Sequence, residues 1–199
     1  MPRLSRTDTR TKLRDALVAE VVENGIASVN VSGIVKRANV SAGTIYVHFE
    51  NKDAMLRQIY MELKSEFHDC ITKNRTETNT AKLLRDMWFG MFEFVRMQPQ
   101  DFLFLEYAGA AKILLPQQQA KADGFAKDIA ALFQRGVDEG TLADLDTNLL
   151  SLLLVAPAMQ LARRTILSGQ PIPEPLIEQT FERVWLSIAN SPLKESSDV

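Results

Sequence analysis

Between Leu13 and Ile188 apolar residues recur at three- and four-residue intervals, and no run of four or more residues shows the β-branched alternation and hairpin turns of a sheet. That periodicity confines the chain to an all-α fold of about nine helices. The punctuation between helices is equally informative. Leu13, Ala16, Leu17 and Val21 form a first apolar face that stops at Asn24-Gly25, where Gly takes a left-handed conformation cheaply. Ile26 and Val29 lead to a second, short helix, N-capped by Asn30, with Val31, Ile34, Val35 and Ala38 inward and Asn39 leaving it in the left-handed region. Ser41 N-caps a third helix in which Ile45 and Phe49, four apart, face inward together. Two short helices joined by Asn39-Val40-Ser41 make a helix–turn–helix candidate.

Six further helices follow. Asn51 opens a long one with Leu56, Ile59, Tyr60, Leu63 and Phe67 on its apolar stripe, running to about Lys73. After the polar loop Asn74–Thr80, Leu83, Leu84, Met87, Trp88, Met91, Phe92 and Val95 define a fifth that ends before Pro99. Phe102 to Leu115 reads as a sixth, stopped at Pro116, and Gln117 to Gly140 as a seventh with Phe125, Ile129, Leu132, Phe133 and Val137 inward. Leu149 to Ser168 is an eighth, kinked or distorted at Pro157, and a ninth follows Pro173 with Leu176, Ile177, Phe181, Val184, Trp185 and Ile188 on its face. No internal repeat is visible.

Composition narrows the function classes. The 199 residues are 46% apolar and 24% charged, an ordinary globular balance for one domain or one domain with a small module. Cys70 is the sole cysteine, so no intrachain disulfide forms and no zinc site with two cysteine ligands can be assembled, as befits a reducing cytoplasm. The start, Met1-Pro2-Arg3-Leu4-Ser5-Arg6, lacks the apolar core of a secretory signal. The most apolar run, Leu149 to Ala162, falls short of the ~20 residues that span a bilayer and reads as a buried helix, so no membrane partner is expected. Net charge is −2, but residues 1–57 carry nine Lys/Arg against six Asp/Glu, leaving +3 on this part and −5 on the rest. A basic head on an acidic body suits a chain that touches a polyanion with one end.

The third helix has the chemistry for that contact. Ser41, Ala42 and Gly43 leave its N-terminus bare enough for close approach to a nucleic-acid backbone or base edges, with free N–H groups pointing outward. Thr44 offers a hydroxyl and a methyl, while Tyr46 and His48 place donors along the helix where a phosphate could sit. Lys52, beside the free N–H groups opening the fourth helix, makes a second anion site. Ile45 and Phe49 are assigned to the core, and the Tyr46 hydroxyl to a phosphate. His48 is not read as a metal ligand, because neither Glu50 nor Asp53 shares its face, and no metal or cofactor is expected.

In order and spacing Gly25, Ile34, Ala38, Val40-Ser41, Gly43-Thr44-Ile45-Tyr46, His48-Phe49 and Lys52 closely resemble the N-terminal DNA-binding domain of TetR-type (tetracycline-repressor-like) regulators, whose pattern spans roughly Thr9 to Leu56. The core V-S-x-G-T-[LI]-Y-x-H-F-x-x-K is present without a gap. The resemblance implies that the third helix is a recognition helix in the major groove, with flanking contacts from Asn30 and Ser32 on the second. Two residues depart from the pattern. Gly33 stands where a better helix former is usual, at a cost of about 0.5–1 kcal/mol relative to Ala. Val47 stands at a position that is often polar; it can meet a thymine methyl but donates no hydrogen bond.

The resemblance also implies a division of labour, with DNA binding in residues 1–52 and effector binding and dimerisation in 53–190, while the composition of the C-terminal stretch predicts a flexible tail over 191–199. The fifth and sixth helices carry more aromatic and Met side chains than one stripe needs, and Trp88, Phe92 and Tyr107 are the expected pocket residues. Gly109-Ala110-Ala111 would give space near Tyr107 or serve close helix packing. The last two long helices are apolar around more of their circumference than one partner requires, which points to a homodimer and hence a partly palindromic duplex-DNA operator. The expectation is a cytoplasmic, ligand-responsive regulator, most simply a repressor released by a small molecule; a protein effector on the helical body is the alternative. An enzyme is not expected, since His68, Asp69 and Cys70 are adjacent on a helix and point about 100° apart. The lone Cys70 reads as inert rather than as a redox switch.

Overall fold

The computed structural model describes residues 6–191, and the tail expected over 191–199 lies outside them apart from Ser191. Nine α-helices are present among the described residues: α1 (Arg6–Asn24), α2 (Val31–Ala38), α3 (Ala42–His48), α4 (Lys52–Ile71), α5 (Thr80–Met97), α6 (Pro99–Ala110), α7 (Pro116–Asp138), α8 (Thr147–Ser168) and α9 (Glu174–Ile188). A single 3₁₀ turn occupies Ile26–Ser28, and the β pairing described is one isolated bridge, Leu142 to Ala189.

Local chemistry sets most helix ends. Gly25 follows α1 at φ 77° and ψ 152°, an extended positive-φ conformation essentially closed to other residues, rather than the left-handed helical one expected. The Asn30 side-chain oxygen accepts from the Gly33 N–H at 2.9 Å and caps α2, and Asn39 leaves that helix at φ 54°, ψ 50°. Asn51 caps α4 by accepting from the Ala54 N–H at 2.8 Å. The third cap differs from expectation. Ser41 holds the N-cap position of α3, but its hydroxyl makes no capping bond and pairs instead with the Thr44 hydroxyl at 2.8 Å.

Two expected boundaries move. The sixth helix ends at Ala110 rather than Leu115, and Lys112 turns the chain at φ 51°. Pro116 therefore does not stop α6; it opens α7, where its missing N–H is no loss and its fixed φ is already helical. The eighth helix is longer than the apolar run read from sequence, passes through Pro157 without a break, and by length and composition is apolar enough to cross a bilayer. Nor is it a buried helix. Leu150, Leu154, Ala158 and Ala162 form one buried stripe, while Leu149, Leu152 and Leu167 stand exposed on its other faces. A stripe four residues apart packed against α5 and α9 is the pattern of a bundle helix with a further face uncovered.

The chain divides into two compact units. The boundary expected after Lys52 coincides with the start of α4, whereas compactness divides α4 between Glu66 and Phe67 and adds residues 98–120, hence α6, to the first unit. In that unit Leu13, Leu17 and Val21 of α1, Ile34 of α2, Ile45 of α3, and Met55 and Ile59 of α4 are fully buried, each worth roughly 1.5–3 kcal/mol of apolar transfer. Here α6 packs on α1, where Arg14 meets Asp101 at 2.8 Å. Burial raises the Asp101 carboxyl pKa and the Arg14 charge opposes the rise. The second unit, built from the end of α4, α5, most of α7, α8 and α9, centres on Leu83, Leu84, Trp88, Phe133, Leu150, Leu154, Phe181 and Ile188, all fully buried.

Candidate nucleic-acid interface

The core of the first unit determines what α3 shows to solvent. Ile45 is fully buried and Phe49 nearly so, as expected of core residues, and they pin one side of a seven-residue helix against α2. The opposite side is left bare. Tyr46 is 59% exposed and Val47 63% exposed, and Ser41, Ala42 and Gly43 are exposed ahead of them. A Cβ placed on Gly43 would meet nothing within 4 Å, so no crowding inside the protein requires a glycine there. Thr44 is half-buried with its hydroxyl on Ser41, and His48 is half-buried with its ring 6.3 Å from that of Phe49.

Flanking residues are more committed than their sequence suggests. Ser32 is exposed at the start of α2, but Asn30 uses its oxygen as the helix cap and donates its amide to the Ser28 carbonyl at 3.3 Å. The Lys52 ammonium donates to the Val29 carbonyl at 3.0 Å and lies 3.8 Å from Asp53, tying α4 to the loop before α2 while two of its three donors remain for other acceptors. Lys52 therefore positions the loop as well as carrying charge.

Gly33, odd for a helix, has a local explanation. A Cβ there would lie 2.8 Å from a carboxylate oxygen of Glu20, which sits over α2 and accepts from Arg37 Nε at 2.9 Å. Glu23 takes the other edge of the same guanidinium, with one contact at 3.0 Å. Hydrogen bonds to Glu23 first and Glu20 second raise the Arg37 pKa further. This clasp from α2 to α1 is invisible in the motif itself; its trace in the sequence is Glu20 and Glu23 one turn apart, with Arg37 one turn past Gly33.

A helix whose inner face is fixed by Ile45 and Phe49 and whose outer face is slim, exposed and free of carboxylates is shaped for insertion into a groove. The family model described as "Bacterial regulatory proteins, tetR family" matches residues 13–59, and "Tetracyclin repressor-like, C-terminal domain" matches residues 80–189. The chain belongs to the TetR family. It is 27% identical over 188 residues to an HTH-type transcriptional regulator of Haemophilus influenzae, covering 94% of this chain and 98% of that protein. The crystal structure of a TetR-family regulator from Marinobacter aquaeolei superposes with a TM-score of 0.83 at 22% identity, covering 93% of this chain and 97% of that one. FadR from Bacillus subtilis, crystallised in complex with stearoyl-CoA, superposes with a TM-score of 0.69 at 19% identity over 87% of this chain and 96% of that one. The relatives are transcription regulators, not enzymes, and this TetR-family chain carries the DNA-binding helix–turn–helix in α2 and α3.

The expected effector residues fall in both units. Trp88 is fully buried in the core of the second unit, its ring 5.7 Å from those of both Phe92 and Phe181, with an indole N–H that has no partner among the described residues. Phe92 is half-buried against the same core, whereas Tyr107 belongs to the first unit. Trp88 therefore packs within the core of its own unit, as large apolar side chains at helical spacing usually do. Cys70 is half-buried, its thiol donating to the Gly90 carbonyl at 3.5 Å, and burial raises its pKa, which disfavours the reactive thiolate.

Proposed function

We propose that this TetR-family regulator is a cytoplasmic homodimeric repressor that reads a partly palindromic operator with α3 and is released by a small molecule held in its second unit. The observation that carries the reading is the exposed outer face of α3, with Tyr46 and Val47 open to solvent on a helix pinned from behind by Ile45 and Phe49. In the major groove this face brings Ala42, Gly43, Tyr46 and Val47 to the duplex. Ser32, Ser41, Thr44, His48 and the remaining donors of Lys52 serve the phosphates, and Asn30 holds the loop.

Dimerisation rests on the uncovered leucines, Leu149, Leu152 and Leu167 of α8 with Leu176 and Leu186 of α9. Burying that stripe against its own copy gives a two-fold pair whose recognition helices meet half-sites about 34–36 Å apart. Effector release needs a differential grip: the ligand must bind the non-operator arrangement more tightly than the operator-bound one. Helix α4, which runs from the first unit into the second, is the element through which the two equilibria are linked.

The test is operator binding by Thr44→Ala and Tyr46→Phe beside the unaltered protein, with native mass spectrometry of each. The reading expects weaker operator binding from intact dimers, and a copurified small molecule, or added stearoyl-CoA as a first probe, that lowers operator affinity. Full operator binding in both variants would refute the placement of α3, and a bound polypeptide in place of a small molecule would replace the effector assignment.

A further inference from the structure

Val47 is 63% exposed on α3, and its side chain is wholly apolar. On the surface of a protein that binds a polyanion this is an unusual expenditure of position, since Val contributes neither charge nor hydrogen bond. Its surroundings explain what it fits. Gly43 precedes it by one turn on the same face, and the space around a Cβ at Gly43 is open, so nothing from the preceding turn stands between Val47 and a surface laid along the helix. The Val side chain in a helix is held in one strongly preferred rotamer, so little freedom remains to be lost on contact. The face is continuous with the DNA-binding segment over residues 13–59. Within the major groove, base edges offer hydrogen-bonding groups and one apolar group, the C5-methyl of thymine.

We infer that Val47 is a specificity-determining residue that selects thymine at one position of each operator half-site by packing its methyl groups on the thymine C5-methyl. The inference rests on the operator-reading role proposed above and adds the base that one side chain selects. Tyr46, the neighbouring exposed side chain, has a hydroxyl suited to phosphate and so contributes position rather than base choice.

Uracil differs from thymine by that methyl alone, so the test is thymine-to-uracil replacement, one position at a time, in the operator recovered from a random duplex pool. Binding is measured for the unaltered protein, Val47→Ala and Val47→Thr. Removing one methyl-sized contact is expected to weaken the unaltered protein about fourfold at a single position per half-site, and on the order of fifteenfold when both half-sites are changed. Val47→Ala is expected to bind the thymine operator more weakly and to lose the distinction between thymine and uracil; Val47→Thr, which keeps one methyl, retains part of it. Equal thymine preference in the unaltered protein and Val47→Ala, or no sensitive position anywhere in a tightly bound operator, would overturn the inference and leave the operator-reading role standing. Failure of the unaltered dimer to bind any duplex selectively would overturn both.

Discussion

Two exposed apolar faces of this molecule have chemistries that suit different partners. On α3 the exposed pair is Tyr46 and Val47, set among Ser41, Ala42 and Gly43 on a short helix that is otherwise locked down. On α8 and α9 it is five leucines spread along two long helices, with Leu152 and Leu167 61% and 65% exposed. A stripe of leucines gains most from a dry surface of its own kind, whereas a slim helix face with one phenol and one valine suits a wet, charged groove that carries occasional methyl groups. The difference teaches that exposure alone does not say which partner an apolar face suits, whereas the chemistry of the side chains around it does.

The largest expected effect separates the two faces. Leu152→Asp combined with Leu186→Asp places charge in the proposed dimer surface and should give a folded monomer by native mass spectrometry and circular dichroism. Operator affinity should fall by about 100-fold or more, because two linked half-site contacts become one. A persistent dimer would remove α8 and α9 from the interface. Tyr46→Phe acts on the other face: losing a hydroxyl bond to phosphate in each subunit should weaken the operator about tenfold or more with the dimer unchanged. Asn30→Ala should cost about 1 kcal/mol through the lost cap of α2, read as a lower melting temperature and a modest loss of DNA binding. Gly33→Ala is expected to be smallest. The helix gains propensity while the Glu20 carboxylate is pushed off Arg37, so melting should move by no more than about 1 kcal/mol in either direction. A large loss there would mean that the Glu20–Arg37–Glu23 clasp carries more of the α1–α2 contact than its exposure suggests.

How much of this was legible in the sequence depended on the range of the interaction. Helix faces, the caps at Asn30 and Asn51 and the left-handed Asn39 are local, and the structure has them where the sequence puts them. Ser41 misled because a hydroxyl one turn on, Thr44, competes for it, and Pro116 misled because proline starts a helix as readily as it ends one. The outward face of α3 follows from the four-residue spacing of Ile45 and Phe49. By contrast, the clasp on Arg37, the seating of Lys52 on Val29 and the burial of Trp88 depend on which helices meet. Aromatic richness in α5 therefore could not distinguish a pocket wall from a core.

The account stands or falls on whether the dimer reads a symmetric sequence. Selection from a random duplex pool at near-physiological salt, using protein shown by native mass spectrometry to be dimeric and free of bound molecules, measures this directly. The predicted result is enrichment of an inverted repeat with half-site centres about one helical turn apart, and affinity that falls steeply as salt rises. Enrichment of a single asymmetric site, or of nothing at all by that ligand-free dimer, would contradict it.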